Sequence, residues 1–181
     1  DVLGSRGLGD VYKRQGIIRY PVAYESFFMS MIEEKNLKYH NVWEFDYVLI
    51  TSENSQLAKE KEINETVLDK YIEVLHGDNI VPNISATYQK KNAELNNHSR
   101  HIYVYERGSQ FDILSACPDS FMWVSPLPKE ILKRYGLVQR VCHSFKKTNK
   151  DVLIYQSNYR LSHADQMFLD ELERVRKEIS E

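Results

Sequence analysis

The residues best able to do chemistry gather between Asn96 and Lys150. Asn96-Asn-His-Ser-Arg-His101 places His98, Arg100 and His101 at the mouth of a predicted strand, His101–Glu106. Two histidines three apart can meet on a turn, but zinc needs a third and usually a fourth ligand. No cysteine or histidine follows at a suitable spacing, so no metal is expected. Cys117 sits at a predicted strand end, where a neighbouring histidine can activate a thiol by favouring its thiolate. His101 and His143 are the available partners. Free cysteine is equally at home in a core.

The second group is cationic. From Lys129 to Lys150 the chain has seven basic residues, Lys129, Lys133, Arg134, Arg140, Lys146, Lys147 and Lys150, and one acid, Glu130. From Glu25 to Asp78 it has twelve acids and five lysines. The formal net charge of -2 therefore hides two oppositely charged regions. Such a division favours oriented encounter with an anionic partner. It could equally serve an internal or homotypic docking of the basic hairpin on the acidic helices, and the plainest reading is a solvated hairpin tip.

Other pairings have plainer readings. Glu44 and Asp46 alternate with Trp43, Phe45 and Tyr47 and read as the wet side of a strand. Ser162-His-Ala-Asp165 resembles a capping box opening a helix with Phe168, Leu172, Val175 and Ile179 on one face. His163 and Asp165 have the His-x-Asp form of an iron site, but no later histidine completes it.

These residues need strands and helices to hold them. Pro21 opens a helix with Tyr24, Phe27, Phe28, Met31 and Ile32 at helical spacing. Val42–Thr51 reads as a strand that ends in the continuously apolar Val48-Leu-Ile50, buried on both faces. Asn64 caps a predicted helix with Val67, Leu68, Tyr71, Ile72 and Leu75 inward, stopped at Gly77. Ile80–Tyr88 reads as an irregular strand and Gln89–Asn97 as a loop. Arg107-Gly-Ser109 is expected to turn the chain into a return strand, Gln110–Ala116. Pro126–Gly136 reads as a short helix, and Leu137–Phe145 with Asp151–Gln156 as a second hairpin. The fold class that follows is α+β, a mainly antiparallel sheet of about five strands with helices packed on one face.

The chain has 181 residues, 42% hydrophobic and 28% charged, enough for one domain with a core. Two cysteines do not form a disulfide framework. No apolar run reaches transmembrane length, and no signal peptide is visible. A cytoplasmic protein is the expectation. Asp10-Val-Tyr-Lys-Arg-Gln15 resembles translated sequencing-adapter read-through, of the sort met in metagenomic assemblies. Residues 1–15 are therefore set aside, and 16–181 is expected to form a single domain.

Glycine-rich phosphate loops, His-Glu-x-x-His, Cys-x-x-Cys and Gly-x-Ser-x-Gly are all missing, so no cofactor is implied. Two functions follow. The first is a non-catalytic binding or assembly protein whose basic hairpin, with Arg100, engages nucleic acid or an acidic protein surface. The second is a small metal-independent hydrolase or transferase with His101, Cys117 and His143 at a strand-end pocket. These residues do not decide between an enzyme and a binding protein.

Overall fold

In a computed structural model, residues 15–77, 100–106 and 108–180 are described. The expected strand Ile80–Tyr88, the loop Gln89–Asn97, His98 and Arg107 lie outside these residues, as do residues 1–14. Contacts group the chain into two compact units, one of residues 48–145 and one of residues 15–47 with 146–180. Its strands and helices are α+β, as the sequence implies.

In the second unit β1 (Gln15–Pro21) and β2 (Leu37–Asp46) both pair antiparallel with β8 (Thr148–Gln156), in the order β1-β8-β2. Between β1 and β2 a 3-10 turn, Val22–Tyr24, leads into α1 (Glu25–Glu34), which buries Phe28 and Ile32. The Tyr20 ring stacks on Phe28 at 4.7 Å. Asn36, at φ 50°, makes the turn into β2, a left-handed position that asparagine tolerates. Beyond β8 comes α5 (His163–Ser180). Its start is the capping box read from the sequence. Ser162 N–H donates to Asp165 Oδ2 at 2.6 Å, and Asp165 N–H donates to Ser162 Oγ at 3.3 Å.

The first unit is a five-stranded sheet ordered β5-β4-β6-β3-β7. Its strands are β3 (Val48–Ser52), β4 (Ile72–His76), β5 (His101–Val104), β6 (Ser120–Val124) and β7 (Leu137–Arg140). β4 runs parallel to β5 and β6, whereas β3 runs antiparallel to β6 and β7. β3 is buried along its whole length, as its continuous apolar run implies. One core contains Val48, Ile50, Val74, Met122, Leu114 and Leu132. The other contains Leu49, Leu57, Ile63, Leu68, Tyr71 and Phe121. Alternation along β3 sends its side chains into both.

The architecture corrects four local expectations. There are two sheets, and the larger is mixed rather than mainly antiparallel. Gln110–Ala116 is not a return strand but part of α3 (Ser109–Ala116), which buries Gln110 and Leu114 one turn apart. Glu106 decides this locally, because its carboxylate accepts Gly108 N–H at 2.6 Å and Ser109 N–H at 2.8 Å at the helix entrance. The helix capped by Asn64 is only α2 (Glu65–Leu68), and Ile72–His76 is the strand β4. Its N–H and C=O groups find ladder partners on both sides, which overrides helical spacing. Finally, Leu137–Phe145 and Asp151–Gln156 do not form a hairpin, since β7 and β8 belong to different sheets. The expected short helix is present as α4 (Lys129–Tyr135), entered at Pro128 and ended by Gly136 at φ 60°.

The cap of α5 makes a pH prediction. Bonds from Tyr159 Oη, Ser162 and Gln15 hold the Asp165 carboxyl down at about 2, below its ordinary 3.8. A depressed carboxyl stabilises the fold above its ordinary value and loses that effect as pH falls through its folded value. Far-UV circular dichroism is expected to show α5 weakening between pH 3.8 and about 2. Asp165→Asn is expected to lower Tm at neutral pH, with the difference vanishing in acid.

Candidate functional site

The basic run is divided between the units. Lys129, Lys133, Arg134 and Arg140 belong to the first, and Lys146, Lys147 and Lys150 to the second. Lys150 is only 12% exposed, and its Nζ lies 2.6 Å from Glu25 Oε1 and 3.5 Å from Glu44 Oε2. These carboxylates raise the ammonium pKa, foremost through the Glu25 hydrogen bond. Lys146 Nζ lies 3.9 Å from Asp46, and Lys147 O accepts Tyr47 N–H at 3.0 Å. Arg140 donates to the carbonyl oxygens of Ala58 and of Glu60, the latter at 2.7 Å. Glu44 and Asp46, on the strand β2 beside β8, are thus partners of the lysines. On α4, Lys129, Lys133 and Arg134 are exposed, with the Arg134 guanidinium 5.7 Å from the Tyr135 ring centre. Within the run, Arg140, Lys146 and Lys150 thus have partners in the chain, whereas Lys129, Lys133 and Arg134 are exposed.

The proposed catalytic residues are placed as follows. His101 opens β5 with its Nε2 at 3.6 Å from Glu73 Oε2 on β4. Glu73 is 2% exposed, and neither of those atoms has a hydrogen-bond partner. Arg100 Nη2 donates to the carbonyl oxygens of Lys70 at 2.9 Å and Asp69 at 3.3 Å, so it braces the turn before β4. Cys117 is half-buried at the end of α3, where its N–H donates to Ile113 O at 2.8 Å. His143 is exposed, three residues beyond β7. β5 and β7 are the opposite edges of the sheet, four strand spacings or roughly 19 Å apart. No described hydrogen bond or ion pair joins His101, Cys117 and His143. Burial pushes the Cys142 thiol pKa up. Among the described residues no three His, Cys, Asp or Glu side chains form a metal site.

The parallel strands give the first unit a direction. His101, Cys117 and Arg100 lie at or next to the amino ends of β5, β6 and β5 respectively. In open sheets of this kind ligands bind outside the carboxyl ends, where helices begin. Here those ends are His76-Gly77, Val104-Tyr105 and Val124-Ser125. Gly77 N–H donates to Val104 O at 3.0 Å, and a Cβ on Gly77 would strike the Tyr105 ring. Tyr105 is exposed. α3 starts at this edge, with its first N–H groups on the Glu106 carboxylate, whose pKa is lowered first by Ser109 Oγ. In the same first turn Gln110 is 8% exposed, yet its Nε2 has no partner. A buried amide without a bond costs stability, so its retention calls for a reason. Sequence reading missed Gln110 because it was assigned to a strand. It gave Glu73 no reading, because the segment was taken as a helix rather than as the strand β4.

No protein-family model matches the chain, and no curated protein sequence is similar to it. Solved structures are similar in fold. The effector-binding domain of QuiR in complex with shikimate matches at 18% identity and a TM-score of 0.59, over 94% of this chain and 75% of that one. The regulatory domain of CcmR from Synechocystis, in complex with 2-PG, matches at 17% identity and a TM-score of 0.56, over 94% and 76%. The regulatory domain of MetR, a LysR family regulator from N. meningitidis, matches at 8% identity and a TM-score of 0.58, over 93% and 72%. The chain therefore has the fold of LysR-type regulatory domains.

Both functional readings of the sequence are corrected by this result. Two of these similar domains are solved with small molecules rather than with nucleic acid or an acidic surface. The physical reason is visible in the charges, because several of the cations on which the first reading relied are already engaged within the chain. The hydrolase or transferase reading likewise finds no counterpart among these regulatory domains. No helix among the described residues is long and apolar enough to cross a membrane.

Lys150 separates structural from surface charge. Lys150→Met leaves Glu25 and Glu44 without their shared cation. It is expected to destabilise the chain by about 1 kcal/mol in urea unfolding, since both carboxylates can be hydrated. Lys146→Ala, at an exposed pair, is expected to change stability by less than ~0.5 kcal/mol.

Proposed function

We propose that this chain senses a small polar metabolite, as the effector-binding part of a transcriptional regulator. The observation that carries the reading is the likeness, over 94% of the chain, to effector-binding and regulatory domains solved with shikimate and with 2-PG. The carboxyl edge of β4, β5 and β6 supports it from the chain's own residues. There the unpartnered Gln110 amide offers a donor, and the Ser109 hydroxyl and the first N–H groups of α3 stand beside it. Donors at a helix start suit a carboxylate or phosphate group on the metabolite. Such a group would compete with the Glu106 carboxylate, which now accepts those bonds.

Sensing then has a simple energetic form. A ligand that binds only the folded chain stabilises it by about 2.7 kcal/mol at a hundredfold excess over Kd. Gln110 divides ligand binding from folding. In the free protein Gln110→Met removes a buried, unbonded amide and is expected to leave Tm unchanged or higher. Thermal unfolding against a panel of small carboxylic and phosphorylated acids, shikimate included, is expected to find a member that raises Tm. With Gln110→Met that rise is expected to shrink or disappear. If no panel member shifts Tm, or if the shift is identical in the variant, the assignment of this edge fails.

A further inference from the structure

The last helix of the chain keeps an apolar stripe in the open. α5 runs for 18 residues, yet none of its described side chains is buried. A helix in a folded protein ordinarily gains most of its stability by burying such a face. Phe168, Leu172, Val175 and Ile179 recur at intervals of four, three and four, the spacing of a seam between two helices. Phe168 is 50% exposed, and the other three are half-buried. The sheet of the second unit does not claim this stripe. Gln166, Leu169, Asp170 and Glu173 instead line the cleft that α5 forms with β2 and β8. At about 100° per residue, the stripe is centred roughly 140° round the helix axis from them. We propose that this stripe is an interface on which α5 of a second copy of the chain packs in parallel.

Charge names the occupant. Glu171 flanks the stripe on one side and Arg176 on the other, each roughly 70° from its centre. When two such helices run parallel, Glu171 of one copy stands beside Arg176 of the other, and the reciprocal pair forms by symmetry. Run antiparallel, they set Glu171 and Glu178 of one copy against the same glutamates of the other. The surface is therefore complementary to itself in one orientation, as a two-fold interface requires. Within one chain Arg176 donates to Glu173, and Arg174 donates to Glu171 and Glu178. The Arg176 and Glu173 side chains are 36% and 42% exposed. Pairs so open to water contribute little, so re-forming one across the seam costs little. The Ser162–Asp165 cap already fixes the start of α5, so pairing orders little new chain. The stripe covers only about three turns, which makes the association weak and reversible.

The experiment is sedimentation equilibrium of the full chain at neutral pH. The original chain is expected to self-associate with Kd of about 100 μM. Phe168→Lys is expected to weaken association at least about tenfold. Glu171→Lys is expected to weaken it about fivefold, and Glu171→Lys combined with Arg176→Glu to restore it to within about twofold. Far-UV circular dichroism of each variant reports whether α5 stays folded. Under mild oxidation Val175→Cys is expected to give a disulfide-linked dimer beyond any formed through Cys117 and Cys142, because a parallel seam sets each residue beside its own copy. The proposal is overturned if the original chain stays monomeric at ~1 mM, or if Phe168→Lys associates as tightly as the original. It is equally overturned if the Glu171→Lys and doubly exchanged chains do not differ, or if Val175→Cys adds no crosslinked dimer. The measurement uses no ligand, so its outcome is independent of the metabolite assigned to the first unit.

Discussion

The constraint on which the first unit depends is that β4 runs parallel to both its neighbours. Parallel strands cannot be joined by a tight hairpin and need a crossover connection. β5 and β6 lie on either side of β4 and point the same way, so the chain between them must travel the length of the sheet. That requirement leaves room for the helix Ser109–Ala116, which the Glu106 carboxylate starts locally, whatever strand character Phe111, Ile113 and Leu114 carry. It also gives the sheet a carboxyl edge, where α3 begins. His101, Arg100 and Cys117 fall at the other end.

Charge is organised at short range. Lys150, Glu25 and Glu44 meet because β8 lies between β1 and β2, which brings Lys150 opposite Glu44 and Tyr20 in register. The same pairing joins Arg19 to Asp151 through two hydrogen bonds of 2.7 Å, with the guanidinium stacked on Phe45. Charges that are far apart in sequence thereby neutralise one another across strands. A count of lysines along the chain therefore overstates the field a partner would meet. On α5 the same economy is local, since its arginines pair with glutamates three and four residues away.

Among the described residues, Tyr20 Oη, Glu73 Oε2, His101 Nε2 and Gln110 Nε2 are buried without a hydrogen-bond partner, and the last three differ in their surroundings. Glu73 and His101 face each other at 3.6 Å on adjacent strands, so each partly offsets the other's burial. Gln110 has no such neighbour. This difference is why Gln110, and not the histidine, marks the carboxyl edge proposed to meet a ligand.

Features governed by neighbours in sequence were legible from the residues alone. The continuous apolar run of β3, the Pro128 and Gly136 limits of α4, the Asn64 cap and the Ser162–Asp165 box each rest on bonds or packing within a few positions. The α+β class follows from the same local signals. What only tertiary structure decided is pairing: which strands share a sheet, in which direction they run, and which carboxylate meets which lysine. Val67–Leu75 shows the physical reason, because its apolar spacing satisfies a helix or a strand equally. Only partners in β5 and β6, supplied from far along the chain, made Ile72–His76 a strand.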